Sequence, residues 1–184
     1  MARRHPSTPW AESRRAPRDR GTFGNGPFDS PTDFTNYDRC ITRGVVGSIL
    51  PVVYGNGNRI MQTPTDVVIS YEMVHDTRVI PVDGRPHVGS KIRQYLGDSR
   101  GRWEGNTLVV ETTNLTDQTS IGANGNGLRH SADMKMVERF TRIAPRRADL
   151  RGLHRRSQDL HSAVHDENPA HFAAGIPAPG LRMP

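Results

Sequence analysis

The chain has 184 residues, a formal net charge of +6 and only 34% hydrophobic residues, with 18 glycines and 14 prolines. These values describe a loop-rich protein with one modest core. The charge sits at the ends: residues 1–20 carry six Arg and two acids, residues 144–184 carry six Arg and four acids, and residues 21–143 balance at 13 of each. A nucleic-acid function would therefore be confined to the Arg-rich ends and would show steep salt dependence, while the neutral middle argues against it. No apolar run is long enough to span a membrane. The opening Met1-Ala2-Arg3-Arg4-His5-Pro6 leads into no apolar stretch of the signal-peptide kind. Cys40 is the single cysteine, so no internal disulfide is possible.

In chain order, residues 1–38 are polar and rich in Arg, Pro and Gly, which predicts an irregular or disordered arm. Val45, Val46, Ile49 and Leu50 form a short apolar segment closed by Pro51, and Tyr54-Gly55-Asn56-Gly57-Asn58 is a turn signal. A β pattern follows. Residues 59–63 alternate briefly, and residues 66–74 are rich in β-branched and aromatic side chains. His75-Asp76 makes a turn into 77–82, where Pro81 lacks a ladder donor and predicts an edge or a strand end. Residues 83–101 read as a long loop with one helical turn around 90–95. The next strand, 107–113, places Leu108, Val110 and Thr112 on one face and Thr107, Val109 and Glu111 on the other. The stretch 117–131 reads as a Gly/Asn-rich loop. A last strand over 134–143 puts Met134, Met136, Glu138, Phe140 and Arg142 on one face.

Five strand-like runs with no convincing helix between them predict a mainly β fold. The expected form is an antiparallel meander, either an open sheet or an incomplete calycin-like or lipocalin-like barrel, with disordered termini. The expected divisions are an arm over 1–38, a β domain over 39–143 and a disordered or non-native tail over 144–184.

Several motifs in fixed order carry a resemblance: Arg39-Cys40-Ile41-Thr42-Arg43-Gly44, Asp83-Gly84-Arg85-Pro86-His87, Leu96-Gly97-Asp98-Ser99-Arg100-Gly101-Arg102-Trp103-Glu104-Gly105, Leu108-Val109-Val110-Glu111-Thr112-Thr113 and Val137-Glu138-Arg139-Phe140-Thr141-Arg142. Over residues 37–143 the chain resembles a family of uncharacterised secreted proteins of soil and marine bacteria. The resemblance implies a periplasmic or secreted location, a leader that this sequence lacks, and a further strand after 143. The residues from 144 onward do not supply that strand's pattern. Back-translation of 148–169 with a one-base shift restores an alternating strand and the family's Asp-Asp-Pro and Thr-Arg-Pro motifs, so a shifted frame from about residue 146 is expected, and the gene's bases decide it. Without that strand the 134–143 strand would be an exposed edge. The family's later cysteine implies that Cys40 is half of a lost disulfide; a nucleophilic Cys40 beside Arg39 and Arg43 is the alternative.

The candidate ligand-binding residues are Asp83, Arg85, His87, Arg102, Trp103 and Glu111. Pro86 stiffens the backbone before His87, and Arg85 can hold an anion nearby. His75-Asp76 and the Asp83–His87 motif lie at opposite ends of one strand, roughly 20 Å apart, so they do not meet along it; Asp76 and Asp83 read equally as turn formers. Arg100, Arg102 and Trp103 suit an anion-binding or cation–π patch, or a tryptophan capping the core beside solvated arginines. Glu138 lies on an apolar face and needs a partner, with Arg139 or a loop arginine as candidates. No phosphate loop, dinucleotide fingerprint or paired-cysteine metal pattern occurs, and no cofactor or metal is expected. The expected function is a non-catalytic domain binding a small molecule near the 83–103 loop. The rival is a hydrolase-type enzyme using His87 with a nearby carboxylate.

Overall fold

The computed structural model describes residues 28–50, 57–119, 121, 129–144, 147–156 and 170–173, the last two segments as backbone only. The protein is mainly β. Strands β1 (Asn58–Gln62), β2 (Asp66–Tyr71) and β3 (Thr77–Pro81) form one antiparallel sheet in that order. Strands β4 (Asp98–Glu104), β5 (Thr107–Thr113), β6 (Lys135–Ala144), β7 (Arg147–Arg156) and β8 (Ala170–Ala173) form a second, also in sequence order. Both are meanders, and of the two forms expected it is the open sheet that is observed.

Period-two alternation decides which side chains meet between the sheets. Val67, Ile69 and Tyr71 of β2 turn inward and are buried. From the other sheet come Leu108 and Val110 of β5 and Met136 and Phe140 of β6, all in the same apolar cluster. The cluster is completed by a short helix, α1 (Gly44–Ile49), whose six residues are all buried. Leu50 ends it with an extended backbone, as expected of a residue preceding a proline. Thr42 anchors the other end: its hydroxyl accepts the Gly44 N–H at 2.8 Å and donates to Asp76 Oδ2 at 2.6 Å.

Four features depart from the sequence expectation. The apolar segment is helical over Gly44–Ile49, a length of six residues that periodicity alone does not separate from a strand. Strand β2 stops at Tyr71 because Val74 and His75 take left-handed backbone angles, φ 63° and 57°, in the turn that follows. The 83–101 stretch is loop only to Gly97; Asp98 starts β4, which pairs with β5 along its whole length. Its face toward the other sheet is Ser99, Gly101 and Trp103. A Cβ on Gly101 would stand 2.9 Å from Val82 and 3.0 Å from Ile80, so the two sheets approach there only because the side chain is a hydrogen.

The fourth departure concerns the edge expected at 134–143. Backbone of Arg147–Arg156 pairs antiparallel with β6, and Ala170–Ala173 pairs with β7 in turn. Ladder bonds are made by main-chain groups, which any residue other than proline supplies, so a segment without alternation still covers the edge. The expected disorder of residues 1–27 and of the rest of the tail lies outside the described residues.

Candidate functional site

The loop between β3 and β4 is irregular but pinned. Asn114, at φ 56° just after β5, spreads its side-chain amide over the carbonyls of Val88, Gly89 and Ile92 at 3.0–3.2 Å. Gln94 adds backbone bonds to Asn114 and Thr116. This fixes His87 over the face of the second sheet that points away from the core. There His87 Nδ1 lies 2.7 Å from Asp98 Oδ2, and its Nε2 lies 3.3 Å from Glu111 Oε1. A carboxylate only accepts, so the Asp98 contact places a proton on Nδ1. Asp98 also accepts the Val88 N–H at 3.1 Å and pairs with Arg100 Nη1 at 2.6 Å. The His87 side chain is 25% exposed and that of Glu111 47%.

Of the six candidate residues, the fold brings His87 and Glu111 together and disperses the rest. Asp83 and Arg85 pair with each other at the exposed loop tip, 2.5 Å apart. Hydrogen bonds from Arg85 pull the Asp83 carboxyl down to about 2. Arg102 pairs with Glu104 at 2.8 Å, and Glu104, bonded also to Arg139, is held below the ordinary carboxylate range by Arg139 first and Arg102 second. Trp103 sits on the opposite face of β4, packed against the apolar cluster, and so acts as a core cap. A cation–π contact occurs elsewhere, where Arg43 lies 4.6 Å over the Tyr37 ring. His75 and Asp76 stay apart from this cluster; Asp76 serves Thr42, and burial raises its carboxyl against the pull of that hydrogen bond.

Glu138 was expected to pair with Arg139 or an arginine of the long loop, and neither is its partner. Arg139 faces the other side and meets Glu104. Glu138 instead takes both terminal nitrogens of Arg78, from β3, at 3.0 and 2.6 Å, with both side chains fully buried. Arg78 also donates to the Tyr71 hydroxyl at 3.2 Å, to Ser99 at 3.1 Å and to Thr112 at 3.3 Å. Burial alone would lower the guanidinium, but the Glu138 and Tyr71 interactions outweigh it and hold Arg78 above the ordinary arginine value. Burial pushes the Tyr71 phenol up to about 12, with the Arg78 charge opposing. Of the three Arg78 guanidinium nitrogens, Nε is the one buried without a hydrogen-bond partner.

Beside this network lies a cleft of about 590 Å³, lined by Thr77, Arg78 and Val79 of β3 and by residues 94–99. Two sheet edges, β3 and β4, form its walls, and the pinned loop forms its rim. Asp98 belongs both to this cleft and to the His87 cluster. The cleft residues other than Asp98 and Ser99 carry no catalytic residue type at motif spacing, which is why they could not be singled out in the chain.

A second histidine, His130, is buried with Nε2 2.6 Å from the Thr119 hydroxyl and Nδ1 2.9 Å from the Ser131 carbonyl. The carbonyl only accepts, so Nδ1 carries the proton and Thr119 donates to Nε2; the pair ties Thr119 to the segment that leads into β6. Cys40 is exposed with a free thiol. Among the described residues no group of His, Cys, Asp and Glu is arranged to hold a metal ion, and no helix is long and apolar enough to cross a membrane. No family model, curated protein or solved structure matches this chain.

Proposed function

We propose that the chain is a non-catalytic, small-molecule-binding β domain of a secreted bacterial protein, with its ligand seated in the cleft between β3 and the 94–99 segment. The carrying observation is that cleft: its volume of about 590 Å³ falls within the several hundred Å³ common for small-ligand sites. Its walls are strand backbone and its loop is fastened by Asn114, so little ordering is needed on binding. The secreted-family part of the proposal rests on the ordered motifs over residues 37–143. A fragment screen by thermal shift tests the binding part. Hits should stabilise the protein by mass action and should be lost in Val79→Trp, which fills the cleft from an exposed position. Hits that survive this substitution would place the ligand elsewhere.

One observation favours a second function, acid–base catalysis at His87. Asp98 fixes the imidazole through Nδ1, which turns Nε2 outward as the proton-accepting atom, with the half-exposed Glu111 beside it at 3.3 Å. Ester hydrolysis measured on p-nitrophenyl acetate separates the two: the binding reading expects His87→Gln to match wild type, whereas a loss of 100-fold or more, on the order expected for a general base, would establish the catalytic one.

A further inference from the structure

Strand β3 leaves one side of its backbone unpaired. It is the last strand of its sheet, β4 is the first of the other, and the two do not pair. The alternation of an antiparallel ladder says which groups are left over. Tyr71 N–H donates to the Asp76 carbonyl at 2.9 Å and Val82 N–H to the Thr65 carbonyl at 2.8 Å, and the register between them is unbroken. Positions 76, 78, 80 and 82 therefore turn their main-chain groups toward β2, while Thr77, Val79 and Pro81 turn theirs to the free edge. Among the described residues, no main-chain bond closes that edge at Thr77 or Val79. Resting on the ligand-binding reading above, we propose that the cleft takes a short peptide in extended form, which adds to β3 as a further strand.

The free edge opens into the cleft. Thr77 and Val79 line it, and residues 94–99 form the wall across from them. Here β3 and β4 run in the same direction: Arg78 reaches Ser99 at 3.1 Å, and a Cβ on Gly101 would meet Ile80 and Val82. The two strands thus come together at Gly101 and are separated by the cleft at 77–79. The wall of residues 94–99 obstructs the whole sheet of a second copy, whereas a single extended chain needs only the space beside the edge.

Extended backbone is the chemistry that matches this edge. Thr77 and Val79 each present one donor and one acceptor, about 6–7 Å apart along the strand, and an antiparallel peptide meets all four groups with alternate residues. Exposed edges are ordinarily blunted by a charge, a proline or a bulge. Pro81 closes the far end of this one, but Thr77 and Val79 are exposed and uncharged, and the β2–β3 register carries no bulge. On the β4 side the Ser99 carbonyl is already taken by Arg100 at 2.8 Å, which leaves β3 as the pairing edge. Val79, 56% exposed, offers a cross-strand neighbour to a β-branched ligand side chain.

The test uses the full chain and the tripeptide acetyl-Val-Thr-Val-amide, with the same peptide N-methylated at each residue as its control. In amide-resolved NMR the parent peptide should bind and slow exchange of the Thr77 and Val79 amide protons at least about tenfold. The N-methylated peptide, which keeps the side chains but loses the ladder donors, should bind at least about tenfold weaker. Val79→Pro removes an edge N–H without touching a bond to β2, as Pro81 does two residues on, and should weaken the parent peptide by a similar factor. Circular dichroism checks that this variant folds; the N-methylated peptide on wild type decides the matter if it does not. Equal binding of the two peptides, or parent binding that leaves the Thr77 and Val79 amides unprotected, would overturn the added strand. Protection of those amides without peptide, growing with protein concentration, would assign the edge to a second copy instead. If fragment hits occupy the cleft while the tripeptide does not bind, the ligand-binding reading stands and the peptide inference falls; if neither binds to folded protein, both fail.

Discussion

Arg78 stands between two demands, a full set of bonds to the core and one donor left over. Its pair with Glu138 is fully buried, so removing one partner strands a charge. Arg78→Leu or Glu138→Gln should each destabilise the protein by about 3–5 kcal/mol, and the double variant Arg78→Met/Glu138→Leu should recover most of that. Urea unfolding of the four proteins gives the coupling; additive losses would show that the pair does not act as one unit. Tyr71 makes the same network sensitive to alkali. In the unfolded chain its phenol ionises near the ordinary tyrosine value of 10.0, whereas in the fold burial keeps it protonated to about 12. Its contribution is therefore complete below pH 10 and is lost as the pH rises through 12, to the extent of about 3 kcal/mol. Stability curves of wild type and Tyr71→Phe should converge above pH 12; parallel curves from pH 9 to 12 would deny Tyr71 that part. At this scale the sequence was half legible. Glu138 on an apolar face announced a buried pair, but its partner lies 60 residues away on another sheet, and nothing local to Arg78 distinguishes it from a solvated arginine.

Strand β4 shows why some elements escape a pattern search. Its residues run Asp-Ser-Arg-Gly-Arg-Trp-Glu, poor strand formers for the most part, and with Ser99 and Gly101 beside Trp103 on the inward face it shows no hydrophobic alternation. The strand exists because β5 supplies a full ladder and because Gly101 lets β3 come close. Strands β2, β5 and β6 were legible for the opposite reason, their apolar alternation being strong. Asn114 was invisible as a loop fastener, since its three carbonyl partners lie 22–26 residues earlier. Asn114→Ala should leave the sheets intact, cost about 1–2 kcal/mol and speed amide exchange across residues 88–97. Unchanged protection there, measured by hydrogen-exchange mass spectrometry, would mean that the loop is held by other bonds. Gly101→Val, by contrast, should act on the core and destabilise by about 1–3 kcal/mol through overpacking against Ile80 and Val82.

At the scale of the molecule, the two open sheets and the short α-helix of the described residues enclose an apolar cluster. The polar groups divide into two sites that meet at Asp98. The outer one joins His87, Glu111 and Arg100, all visible in the sequence, to Asp98, and register reveals the grouping: Arg100 stands directly opposite Glu111 across β4 and β5. The inner one is the cleft beside Arg78, assembled from β3 and the loop by the approach of two sheet edges, and no local motif encodes it. This inner site is where the proposed ligand sits. Amide-resolved NMR with acetyl-Val-Thr-Val-amide tests that placement most directly: the largest shift changes should fall on residues 77–79 and 94–99. Changes centred on 85–88, 100–102 and 109–111, with residues 77–79 unmoved, would place the bound molecule on the His87 face and contradict it.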